Sequence, residues 1–203
     1  EPIGAATAGL TEFLKGMQDQ SIVALAIIMG LMIAFDMGGP VNKVAYAFVI
    51  LCVGEGIYNV AGISSVAVAV PSIGMGLATF LNKKLYEPSE QEAGRASILM
   101  GTMGITEGAI PFAASDPLRV IPSVMIGTAA GAVTAALLGV KSYAAWGGLI
   151  VLPVVEGRFS FIIALLVGSL VTALMVNLLK SRRKVVKSEE QNADDLDLDI
   201  GIG

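Results

Sequence analysis

Phe159 to Leu179 reads FSFIIALLVGSLVTALMVNLL, twenty-one residues without a charge. As a helix it is roughly 31 Å long at ~1.5 Å per residue, about the hydrocarbon thickness of a bilayer. A segment in lipid must satisfy its own backbone polar groups, which leaves helices or closed barrels. The run is continuously apolar and does not alternate, so it is read as a helix. The whole chain follows suit: 55% of its residues are hydrophobic and its mean hydropathy is +0.77. This predicts an all-α, polytopic membrane protein. Val120–Val140 is a second strong span. Ile63–Leu81 is a third, with a kink expected from Pro71, Gly74 and Gly76. Lys43–Gly62 is a fourth, interrupted by Gly54-Glu55-Gly56.

Other stretches are too short or too broken to cross. Ser21–Phe35 has fifteen apolar residues, fewer than the ~20 a crossing needs unless it extends back to Met17. Lys141–Arg158 is expected to be a partial crossing. Ala5–Gln20 places Leu10, Phe13, Leu14 and Met17 at i, i+3, i+4 and i+7, which predicts an amphipathic helix at the membrane surface or a packed helix end.

Two of the broken stretches carry acids. Glu107 lies inside the apolar run Ala96–Ala114, beside Gly101, Gly104, Gly108 and Pro111. Placing a carboxylate in hydrocarbon costs at least ~2.5 kcal/mol, and glycine and proline at this density disfavour a continuous helix. Broken backbone at membrane depth is tolerated where it is buried in protein or lines a watery cavity. Two half-helices meeting at Ile105–Gly108 are therefore expected, with free backbone groups and Glu107 facing a polar ligand. The competing reading is a structural ion pair of Glu107 with Arg119. Asp36 repeats the pattern, ending an apolar run just before Gly38-Gly39-Pro40. Interrupted segments in pairs point to a binding site in transporters. Asn42 offers donors and an acceptor that suit hydroxyl ligands. Alternatively, Asp36 and Asn42 cap helix ends.

Charge gives orientation more than partners. The net charge is −4, but six acids fall within the last sixteen residues, and nothing suggests nucleic acid. Basic residues in the polar loop Asn82–Arg95 and in KSRRKVVK after Leu179 place both on the cytoplasmic side. The number of full crossings between Arg95 and Lys180 is then even. Residues 188–203 are expected to form an acidic, disordered cytoplasmic tail. The chain has no histidine and one cysteine, Cys52, in the apolar run YAFVILCVG. A histidine nucleophile or phosphocarrier is excluded, and neither a metal site nor a cofactor is expected.

GITEGAIPFA (Gly104–Ala113) followed by SDPLRVIPS (Ser115–Ser123) closely resembles a signature of the IIC membrane permeases of the bacterial sugar phosphotransferase system, fructose branch. FDMGGPVNK (Phe35–Lys43) is similar to a second signature of the same branch. The resemblance covers about Gln20 to Leu179. It implies a fold like the glucose-superfamily IIC permeases, with residues 1–187 the C-terminal part of a larger transmembrane domain. It also implies translocation of a fructose-like sugar in the bacterial inner membrane, coupled to phosphorylation by a phosphorylated IIB domain that is charged through IIA and HPr. A homodimer is implied as well. By the same resemblance Glu107 is the sugar-binding and catalytic group, joined in substrate binding by Thr106, Asp36 and Asn42. The phosphoryl carriers of the system are a histidine on IIA and a cysteine on IIB, so this chain needs an external donor. One departure stands out. Where fructose permeases carry Pro-His-Gly-Gly, this chain reads Ala144-Ala145-Trp146-Gly147-Gly148, which puts fructose itself in question. An ion-coupled transporter using Asp36 and Glu107 is the alternative function.

Overall fold

Two short helices, α1 (Ile22–Phe35) and α2 (Pro40–Gly54), form an apolar hairpin. The computed structural model describes the backbone from residue 21 to 200 and the side chains from 21 to 182. The predicted Ala5–Gln20 helix lies outside the described residues. Ser21 caps α1, its Oγ accepting the Ala24 N–H at 3.3 Å. Leu25, Met29 and Ile33 of α1 share one buried cluster with Ala45, Phe48 and Cys52 of α2. Each helix is roughly 21–23 Å long, short of the ~30 Å hydrocarbon core. The hairpin is therefore too short to cross by itself, and its open end is the exposed Gly54–Gly56 turn. Glu55 sits in that exposed turn, away from any pocket.

The next crossing is made of two pieces, α3 (Tyr58–Ala67) and α4 (Val70–Leu81), which together form a 24-residue span. It starts at Tyr58 rather than the expected Ile63, because the Gly54–Gly56 turn ends the preceding helix early. The break falls at Val68–Ala69. Pro71 sits in the first turn of α4, where a missing N–H costs little.

Only Asn82–Glu87 of the expected polar loop stays outside a long helix. Glu87 and Glu90 form a capping box that starts α5 (Pro88–Thr102). After α5 the chain breaks, passes through a 3-10 turn (Thr106–Ala109) and continues as α6 (Ile110–Ser115). Ser115 Oγ donates to Glu90 Oε1 at 2.7 Å, so the segment returns to the end it entered from. This is the re-entrant unit expected from the glycines and proline. The break begins at Met103, a few residues before the predicted point.

Two full-length apolar helices follow, α7 (Pro117–Leu137) and α8 (Arg158–Ile200), the latter membrane-capable over Arg158–Arg182. Gly127 faces Thr172 and Gly131 faces Gly168, so small residues let α7 and α8 approach closely. The outward face of α8 is apolar, with Phe159, Ile163, Leu166, Leu170, Leu174 and Leu178 all exposed, as lipid contact requires. Between the two helices, Lys141–Ser142 pairs antiparallel with Val155–Glu156 around an irregular segment, in place of a helical partial crossing. The described residues are almost wholly helical, as composition predicted. The backbone of α8 runs as helix to Ile200 rather than ending near Ser188. The acidic stretch contains Glu189, Glu190, Gln191, Ala193 and Leu196, whose local propensity favours continuing a helix already begun.

Lys180 Nζ lies 3.0 Å from Glu90 Oε1 and 4.2 Å from the centre of the Tyr86 ring. The end of α8 and the start of α5 are thus on the same side. With α7 and α8 as the two crossings between them, the even count holds.

Candidate functional site

The tips of the two re-entrant units meet. At the hairpin tip, Met37 (φ 43°) and Gly38 (φ 105°) take left-handed conformations. A Cβ built on Gly38 would lie 2.5 Å from Glu107 Oε1, so the backbone of one signature packs directly on the carboxylate of the other. Strain at a non-glycine residue such as Met37 is typical of positions that build a site. Both tips lie about 20 Å along their helices from the far ends of the re-entrant units.

A cavity of about 440 Å³ opens at this junction, within the ~300–1,000 Å³ common for small-molecule sites. Glu107, Thr106 and Ile105 form one wall, and Asn42, Lys43 and Tyr46 of α2 another. Trp146 and Gly147 of the irregular segment close a third. Glu107 is exposed towards this space. Its carboxylate accepts a hydrogen bond from Thr106 Oγ1 at 3.2 Å, and Thr106 Oγ1 in turn accepts from Asn42 Nδ2 at 3.4 Å. Three of the four expected residues are therefore linked as amide, hydroxyl and carboxylate.

The fourth is elsewhere. Asp36 accepts the backbone N–H groups of Val41 at 2.7 Å and Asn42 at 3.0 Å, capping α2, and it does not line the cavity. The capping alternative fits Asp36. Asn42 also spends a donor on the Ile33 carbonyl at 3.1 Å, so its amide fixes the hairpin and orients Thr106. The structural alternative for Glu107 does not form: Arg119 pairs with Asp116 at 2.9 Å.

Part of the backbone at the break is satisfied internally. The N–H groups of Met103, Gly104 and Ile105 donate to carbonyls at the end of α5. Trp146 Nε1 donates to the Met103 carbonyl at 2.9 Å, and Ser72 Oγ donates to that of Ile105 at 2.5 Å. Gly104 (φ 78°) is in backbone contact with Gly147 and Gly148, leaving no room for a side chain. Among the charged side chains of the cavity, those open to a ligand are Glu107, an acceptor-only group when ionised, and Lys43. Sequence reasoning missed Lys43, Tyr46 and Trp146 as cavity residues. Lys43 stood inside a signature already quoted, and Trp146 was noted only as a departure. No group of three metal-ligating side chains occurs among the described residues.

Comparison with known proteins adds kinship. No protein-family profile matches the chain, and no solved structure matches it. Over all 203 residues it is 60% identical to the Fructose-like permease IIC component 2 of Escherichia coli (strain K12), covering 56% of that protein. It is 42% identical over 195 residues to a PTS system fructose-specific EIIC component of Haloferax volcanii, covering 96% of this chain and 52% of the other. It is 41% identical over 182 residues to a PTS system fructose-specific EIIB'BC component of Vibrio cholerae, covering 88% of this chain and 31% of the other. The chain spans about half the length of the first two.

Proposed function

This chain is a homologue of the IIC permease components of the fructose branch of the sugar phosphotransferase system, and from that premise we propose that its cavity holds the sugar during transport and phosphorylation. The observation that carries this reading is the meeting of two re-entrant tips around Glu107, with an acceptor oxygen facing a cavity of ligand size. Glu107 accepts hydrogen bonds from sugar hydroxyls and draws the proton from the attacking one. Thr106 and Asn42 hold the carboxylate in place. Trp146, half-exposed, offers an apolar ring face to the sugar's carbon side.

The phosphoryl group comes from a IIB domain or subunit, because the chain has no histidine and its one cysteine, Cys52, is buried in the hairpin. Fusion of such parts in one chain is seen in the EIIB'BC relative. IIA and HPr stand behind IIB in the relay. The protein acts in the bacterial inner membrane as a homodimer, with its C-terminus in the cytoplasm. The ion-coupled alternative is disfavoured because Asp36, the second acid it needs, is used as a helix cap.

The test is mass spectrometry of intracellular phosphosugars in cells expressing the full-length protein and given a panel of hexoses and polyols. One phosphosugar is expected to appear only when both the protein and its phosphoryl donor are present. Accumulation of unmodified sugar that follows an ion gradient would defeat this reading.

Orientation is tested separately. In a background without Cys52, single cysteines at Ser89 and Ser188 should both resist an impermeant thiol reagent added outside intact cells. Labelling of both from outside would reverse the orientation, and labelling of one alone would contradict the Glu90–Lys180 contact.

A further inference from the structure

Two side chains that carry charge at neutral pH line the cavity, and only Glu107 has been given work. Lys43 is the fourth residue of α2, one turn from the hairpin tip. Its backbone is held in the helix, the N–H donating to the Gly39 carbonyl at 3.0 Å. Its side chain is exposed and forms no ion pair among the described residues. A lysine within the apolar zone of a membrane protein is expensive and marks a functional pathway by default.

The other polar groups near it are occupied. Tyr46 donates its hydroxyl to the Ala145 carbonyl, Trp146 its indole N–H to Met103, and Asn42 its amide to Ile33 and Thr106. Asp36, the acid closest in sequence, is engaged with the start of α2. The unspent charged capacity of the cavity is thus one carboxylate on one wall and one ammonium on another. A neutral sugar satisfies the carboxylate through its hydroxyls but gives an ammonium no matching charge. A phosphosugar satisfies both, since an ammonium is a compact donor suited to phosphoryl oxygens.

We propose that Lys43 is the phosphoryl ligand of the cavity, holding the phosphate of the phosphosugar formed there and the same group in transit. This rests on the sugar-permease reading above. In the transfer, the bond from phosphorus to the sugar oxygen forms as the phosphorus–sulfur bond of the donor phosphocysteine breaks. The thiolate leaves with the electron pair, and the hydroxyl proton passes to Glu107. Lys43 supplies no proton. It is a positioning residue for the charged group.

The test is equilibrium binding of labelled fructose to the purified full-length protein, with fructose 1-phosphate and fructose 6-phosphate as competitors. Lys43→Gln should weaken the better phosphate competitor about tenfold or more beyond whatever change it makes in fructose affinity. Lys43→Arg, which keeps the charge, should retain that competitor within about threefold. Equal loss of fructose and phosphosugar in Lys43→Gln would overturn the assignment. So would an unchanged phosphosugar, a phosphosugar the wild type does not bind, or an arginine variant no better than glutamine. A wild type that binds neither fructose nor its phosphates would likewise overturn the assignment as stated for fructose, whereas the sugar reading on which it rests falls only if no sugar of the panel above is phosphorylated.

Discussion

Purified Glu107→Gln protein is expected to bind sugar about ten- to hundredfold more weakly than wild type, with its fold intact. The amide keeps the size of the side chain but replaces one acceptor oxygen with a donor. Losing a hydrogen bond to a charged group costs roughly 1.5–3 kcal/mol, which sets that range. The fold should survive because the carboxylate holds no structural ion pair: Arg119 is engaged with Asp116, and Glu107 takes a bond only from its neighbour Thr106. Titration of labelled sugar against variant and wild type measures the effect. Unchanged affinity would sink the claim that Glu107 contacts the sugar in binding. Normal affinity with phosphorylation lost would confine Glu107 to the chemical step.

Lys180→Met should destabilise the protein by about 3–5 kcal/mol, as removal of one partner of a buried ion pair does. The pair is well enclosed, with side-chain exposures of 8% for Lys180 and 12% for Glu90. Substitution leaves Glu90 charged against Ser115, Tyr86 and the end of α8. The double variant Glu90→Gln, Lys180→Met should recover much of the loss, since no uncompensated charge remains. Thermal unfolding in detergent measures both, and an unaltered midpoint in the single variant would refute the role given to the pair. Acid should act on the same contact. Burial pushes the Glu90 carboxyl up, but hydrogen bonds from Ser115, the Glu87 N–H and Lys180 outweigh it, and the net shift is downward. A carboxyl depressed in the folded state adds stability above its ordinary range, which is lost as pH falls through the folded value. The wild type should therefore lose more stability in acid than the double variant does.

Much of this was legible in the chain because lipid leaves few options. Uninterrupted apolar runs predicted α7 and α8, and glycine and proline beside Glu107 predicted the re-entrant break. Asp36 misled because an acid before Gly-Gly-Pro serves equally as a ligand or as the cap of the next helix, and local spacing does not separate the two. Two carbonyls expected to be free at the break are taken for a non-local reason: Trp146 and Ser72, distant in sequence, donate to Met103 and Ile105. Lys43 and Trp146 escaped notice as cavity residues because only the fold brings α2, the 103–107 break and the 141–156 segment together.

The glycine contact between Gly104 and Gly147–Gly148 bears on how such a protein diversifies. Two main chains in direct touch admit no side chain, so neither strand of the seam can drift by ordinary substitution. The residues projecting from that fixed frame, Trp146 beside the seam and Tyr46 across the cavity, carry no such restriction. Descendants that acquire a new substrate should therefore keep their glycines and differ in these projections, and a replacement such as the tryptophan at 146 is the form that divergence takes.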